Sequence, residues 1–94
     1  MEIQFTTQIF KEGRTYVAYT RELDISSCGS TKDKAARNLK EAVRLFLVQA
    51  ETMGTLKTIL AEAGYKQTRH KLEAPKVISV QRMSLPLPLT HAKA

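Results

Sequence analysis

Residues 23–47, LDISSCGSTKDKAARNLKEAVRLFL, run from a short polar-edged strand through a Cys-Gly-Ser-Thr turn into an amphipathic helix. Ala35, Ala36, Leu39, Ala42, Val43, Phe46, Leu47 and Ala50 recur at the spacing of one buried helical stripe. Lys34, Arg37, Lys40, Glu41, Arg44 and Glu51 take the other side. Gly29 is expected to permit a tight turn. Thr31 is placed to accept a bond from an orphan N–H of the first helical turn, with Asp33 favourable beside the positive helix end. A strand feeding a one-faced helix predicts a sheet with one side covered.

Upstream, Ile3, Phe5, Thr7 and Ile9 alternate with Gln4, Thr6 and Gln8, the period of a half-buried strand. Glu12-Gly13 sits where a hairpin must reverse. Residues 14–21, rich in Thr, Tyr and Val, form the returning strand, with Tyr16 and Tyr19 on opposite faces so that only one is core. Residues 25–28 make a short third strand. The long helix spans about residues 32–51. Met53-Gly54 interrupts it, and a shorter helix follows over residues 55–63, with Leu56, Ile59 and Leu60 inward. Gly64 stops that helix, and Tyr65 packs back on Leu60 as in a Schellman ending. Val77, Ile78 and Val80 predict a strand over residues 76–82. Pro86 and Pro88 then leave residues 83–94 as a flexible tail.

The expected fold is therefore α+β: a small antiparallel sheet in the order β-β-β-α-α-β with its helices on one face. Residues 1–82 form one domain, with Ile3, Phe5, Ile9, Leu39, Val43, Phe46 and Leu47 in its core. A single layer pair of this size is marginally stable, and strand edges invite pairing. Both arguments favour a homo-oligomer, a dimer or tetramer, with Val77, Ile78 and Val80 at the interface.

Composition narrows the function classes. Ninety-four residues with 43% apolar content suit one small domain, and nothing approaches the ~20-residue apolar run of a membrane span. The start, Met-Glu-Ile-Gln-Phe, reads directly as a strand, without a basic leader or signal core. Cys28 is the lone cysteine, which fits a reducing cytoplasm, and its bland reading is a small buried hydrophobe. Together with His70 and His91 it makes no zinc-ligand cluster, so no metal or other cofactor is expected. Charge is uneven. Residues 1–65 hold nine Lys/Arg and eight Asp/Glu, whereas residues 66–94 hold six and one. Residues 66–82 thus form a basic segment suited to nucleic-acid phosphates or to an acidic protein face, or simply a solvated connector.

The central segment resembles the HicB-like antitoxin family. The residues that carry the likeness are Leu23, Asp24, Cys28, Gly29, Ser30 and Thr31, then Ala35, Asn38, Leu39, Lys40, Glu41 and Ala42. It extends upstream through residues 16–19, and downstream through residues 60–65 and 75–77, covering roughly residues 3–82. The resemblance implies a degraded ribonuclease-H-like fold and a cytoplasmic protein that neutralises a HicA-type toxin, a small messenger-RNA-cleaving protein. Many relatives add a C-terminal DNA-binding module. The residues after Tyr65 do not contain an amphipathic helix pair from which to build one.

Nuclease chemistry on such a fold needs several carboxylates converging on two metal ions. Glu2, Glu12, Glu22 and Asp24 near the sheet offer no evident set of three, so no catalytic residue is expected. The edge over residues 23–28 is the expected toxin-facing region, with Arg21, Glu22, Asp24 and Ser26 at its polar rim. The alternative is an oligomeric nucleic-acid-binding protein that uses the basic segment.

Overall fold

The computed structural model describes residues 1–89; His91 lies outside them. It is a small α+β fold with two three-stranded sheets and two helices. One sheet has the order β2-β3-β4, from β2 (Gln8–Glu12), β3 (Thr15–Thr20) and β4 (Ile25–Gly29), all antiparallel. The other is formed by β1 (Glu2–Ile3), β6 (Lys71–Glu73) and β5 (Lys66–Gln67), in the order β1-β6-β5, with β1 parallel to β6. Helices α1 (Lys32–Met53) and α2 (Leu56–Glu62) follow β4.

The amphipathic stripe of α1 packs on the β2-β3-β4 sheet. Ala35, Leu39 and Val43 are buried against Ala18 of β3, with Leu23, Leu60 and Tyr65 completing the core. Thr31 caps the helix as its type predicts, its hydroxyl accepting the Lys34 N–H at 3.1 Å. Gly29 answers to a different requirement than the expected turn. It is the last residue of β4, and a Cβ there would stand 2.6 Å from the Ala35 backbone nitrogen. Its missing side chain lets the helix start lie directly on the strand.

Both helix ends use left-handed glycines. Gly54, at φ 73°, ends α1, and the Thr55 N–H returns to the Ala50 carbonyl. Gly64, at φ 85°, follows α2, and the Tyr65 N–H returns to the Leu60 carbonyl at 3.0 Å, the Schellman pattern. Gly13, at φ 61°, supplies the first central residue of the two-residue loop between β2 and β3.

Three expectations change. The alternating run over residues 3–9 is not one strand, because backbone groups between β1 and β2 find partners elsewhere. The Gln4 N–H goes to the Leu72 carbonyl, the Gln4 carbonyl accepts the Tyr65 hydroxyl, and the Thr6 N–H goes to the Glu22 carboxylate. Ile3 and Phe5 still pack on the core, but Ile9 is 39% exposed on an edge strand that α1 scarcely reaches. Phe46 is only half-buried, since it sits at the margin of the stripe rather than at its centre. Lastly, Val77, Ile78 and Val80 form no strand within the chain. The pairing partners of β1 are Lys71 and Leu72 of β6, which forms a hairpin with β5, and residues 74–89 have no regular secondary structure and are mostly exposed.

Candidate functional site

Register decides what the β2-β3-β4 sheet shows to solvent. Residues opposite one another share a face. Ile9, Ala18 and Ser27 align on the side that α1 covers, whereas Phe10, Val17 and Cys28 align on the side that no element covers. Phe10 is 51% exposed, Val17 half-buried and Cys28 exposed. The expectation of a buried cysteine is therefore corrected: odd–even alternation along β4 turns Cys28 and Ser26 outward and Ser27 inward. Phe10, Val17 and Cys28 thus form an apolar row three strands wide on an open sheet face.

At one end of that row stands a polar cluster. Gln8, Tyr19 and Ser26 form the neighbouring row across the sheet. The Tyr19 hydroxyl donates to Asp24 Oδ1 at 2.9 Å, and this bond, followed by desolvation and the carboxylate charge, raises the phenol's pKa. Asp24 reaches this position from a left-handed backbone, φ 53°, at the end of the Arg21–Asp24 turn. The reversal between β3 and β4 thus imposes a conformation that Asp and Asn tolerate better than most residues. Arg21 is exposed in the same turn.

Of the four expected rim residues, Arg21, Asp24 and Ser26 lie on exposed surface beside Tyr19, and Glu22 does not join them. Its side chain turns back, accepts the Thr6 N–H and the hydroxyl of buried Thr20, and is half-buried. Glu22 ties the segment between β1 and β2 to the end of β3. The alignment of Phe10 with Val17 was not legible in the sequence, because their common face appears only once the hairpin register is known. The two-residue Gly13-Arg14 loop was the available signal, since it fixes every cross-strand pair.

The remaining surfaces are less organised. Lys66, Arg69, Lys76 and Arg82 of the basic segment are exposed around and beyond the β5-β6 hairpin. An apolar groove of about 330 Å³ lies between α1 and β1, floored by Ile3, Phe5, Val43 and Leu47 and rimmed by Arg37 and Lys40. Across α1, Arg44 is tied to Glu41, a contact that lowers the Glu41 pKa and raises that of Arg44. Among the described residues no three His, Cys, Asp or Glu side chains come together as metal ligands, and no helix is long and apolar enough to cross a membrane. The chain matches no protein-family model, no curated protein and no solved structure.

Proposed function

We propose that this chain is a non-catalytic, antitoxin-like protein of the cytoplasm that binds and neutralises a HicA-type messenger-RNA-cleaving toxin. The observation that carries the reading is the open sheet face, with Phe10, Val17 and Cys28 as its apolar centre and Arg21, Asp24 and Ser26 as its polar rim. That arrangement has the anatomy of a protein interface, in which a few desolvated apolar anchors carry affinity and rim polar groups set orientation. The strand-strand-strand-helix order from β2 to α1 also agrees with a degraded ribonuclease-H-like fold of the HicB kind. In this reading the chain works by covering the toxin's RNA-facing surface. It does so as a homo-oligomer in which Val77, Ile78 and Val80, each more than half exposed in the single chain, are buried.

Co-expression with the product of the adjacent reading frame is the test. The wild-type protein rescues growth and co-purifies with that product, whereas Phe10→Asp loses both while keeping its circular dichroism and thermal transition. A harmless neighbour, or one that the wild type does not bind, removes the antitoxin reading. A second reading, nucleic-acid binding, draws on the exposed cations of residues 66–82. Salt separates the two: phosphate contacts weaken steeply with ionic strength, whereas an interface centred on Phe10 and Val17 weakens little.

A further inference from the structure

The chain exposes far more surface than its mass calls for. A compact monomer of this size has an accessible surface of about 5,500 Å², and this one has 8129 Å². Its radius of gyration is 17.1 Å, against about 12 Å for a compact chain of this length. The molecule extends 55 Å along one axis and 29 and 25 Å along the others; residues 74–81 run beside residues 3–6, Gln8, Arg21 and Glu22, and residues 83–89 beyond them are exposed. The excess surface is well above the ~800 Å² that each partner buries in a standard interface.

Residues 83–89, MSLPLPL, are patterned for one kind of contact. In an extended strand, alternate residues point their side chains to opposite faces and their backbone groups to opposite edges. Met83, Leu85, Leu87 and Leu89 therefore share one face, and all are more than half exposed. Pro86 and Pro88 share the other face, and both take their missing N–H donors from the same edge. The result is a strand with one apolar face and one competent edge. Apart from one bond between the Leu89 N–H and the Leu87 carbonyl, residues 74–89 make no backbone–backbone hydrogen bond among the described residues.

The same structure holds an edge of matching character. β2 is the outer strand of its sheet, and all five of its residues are exposed. Its two-residue loop makes Glu12 and Thr15 the hydrogen-bonded pair that closes the hairpin, so the outward backbone groups of β2 belong to Ile9 and Lys11. A strand added there antiparallel, through its odd-numbered residues, would set its leucines on the face that carries Ile9, beside α1, where the apolar layer is incomplete.

We infer that residues 83–89 of one chain add to the outer edge of β2 in a second copy, reciprocally, closing a two-fold dimer whose outer edges Pro86 and Pro88 make unable to recruit a further strand. The occupant is a second copy because, among the described residues, 83–89 make no backbone bond to β2 of their own chain, and because the surplus area exceeds what each partner of a stable dimer buries. The prolines turn a sticky edge into a terminating one. This assembly does not depend on a toxin, and it specifies a contact distinct from that of Val77, Ile78 and Val80.

Sedimentation and residue-resolved amide exchange on the full chain test it. The wild type is a dimer, and the amides of Ile9 and Lys11 are protected in it but lose protection on dilution, whereas that of Phe10 is protected at every concentration. Leu85→Asp with Leu87→Asp yields a folded monomer with unprotected Ile9 and Lys11. Pro86→Ala with Pro88→Ala restores donors on the second edge and produces species larger than the dimer. A wild type that is monomeric throughout, or a dimer in which Ile9 and Lys11 exchange freely, overturns the inference. So does a dimer that survives the aspartate pair; if it then dissociates with Ile78→Lys, assembly through Val77, Ile78 and Val80 stands without strand donation. An unchanged dimer in the double alanine variant overturns the terminating role of the prolines.

Discussion

The hydroxyl of Tyr65 donates to the carbonyl of Gln4 at 2.6 Å, joining residues 61 positions apart. The bond satisfies a backbone acceptor just where the chain leaves β1 for β2 and holds the end of α2 against that crossing. Burial, and secondarily the charge of Glu22, push the Tyr65 hydroxyl up to about 12. The unfolded chain loses this proton near pH ~10. Between those values the folded form keeps a proton that the unfolded form has released, so stability falls as pH rises. The contribution is whole below pH ~10 and is gone above the folded value. Tyr65→Phe is expected to cost about 1 kcal/mol at neutral pH. It should also flatten the alkaline loss in urea titrations followed from neutral to high pH.

Leu39 is fully buried at the centre of the core, and Phe46 is half-buried at its margin. Leu39→Ala should cost about 3–5 kcal/mol, a large part of the ~5–15 kcal/mol available to a small domain. Phe46→Ala should cost less than half as much, because its ring leaves a partly solvated space rather than a closed cavity. Denaturant midpoints at constant slope give both values, and equal costs would place Phe46 in the core.

The junction between β4 and α1 offers a test of backbone approach. Gly29→Ala puts a methyl into the Lys34–Ala35 backbone, which has no flexible side-chain end to yield, and a loss of about 1–3 kcal/mol is expected. Thr31→Ala removes the cap at about 1 kcal/mol, and Thr31→Asp keeps it. Thermal melts of the three variants should fall in that order. A neutral Gly29→Ala would mean that the helix start lifts off the strand at little cost.

Glu22 and Asp24 should behave differently despite their proximity. Glu22→Ala strands the Thr6 N–H and the Thr20 hydroxyl and is expected to cost about 1–2 kcal/mol of stability. Asp24→Asn keeps both the tolerance for φ 53° and an acceptor for Tyr19, so stability should hardly change. Any effect of Asp24→Asn on partner binding then reports the charge alone. Calorimetric titration beside a melting curve separates the two quantities.

Local chemistry was legible in the sequence wherever one residue type had one physical use. Thr31 as cap, Gly54 and Gly64 as helix stops, and Leu39 and Val43 as the buried stripe all follow from spacing and side-chain type. What escaped depends on partners distant in the chain. The run over residues 3–9 alternates like one strand, but Leu72, Tyr65 and Glu22 draw its backbone groups away, and none of these is marked as a partner by periodicity. Residues 66–73 are too polar to announce a hairpin, whereas Val77 to Val80 have the composition of a strand but pair with no strand among the described residues. The exposed positions of Arg21, Asp24 and Ser26 were legible because turns and strand edges gather polar residues. The apolar row of Phe10, Val17 and Cys28 was missed because a face is a property of register.

The parallel pairing of β1 with β6 has a consequence for the order of events during synthesis. Residues 8–53 hold β2, β3, β4 and α1, whose contacts are with near neighbours in the chain and so close quickly. Glu2 and Ile3 emerge from the ribosome ahead of these elements, yet their partners Lys71 and Leu72 emerge after them. Strand β1 thus waits, unpaired, while the central layer forms behind it. Release of β6 from the exit tunnel then becomes the step that completes the second sheet. Chains stalled before residue 71 should hold a folded hairpin and helix with a free amino-terminal strand, and proteolysis of such nascent chains would cut selectively between β1 and β2.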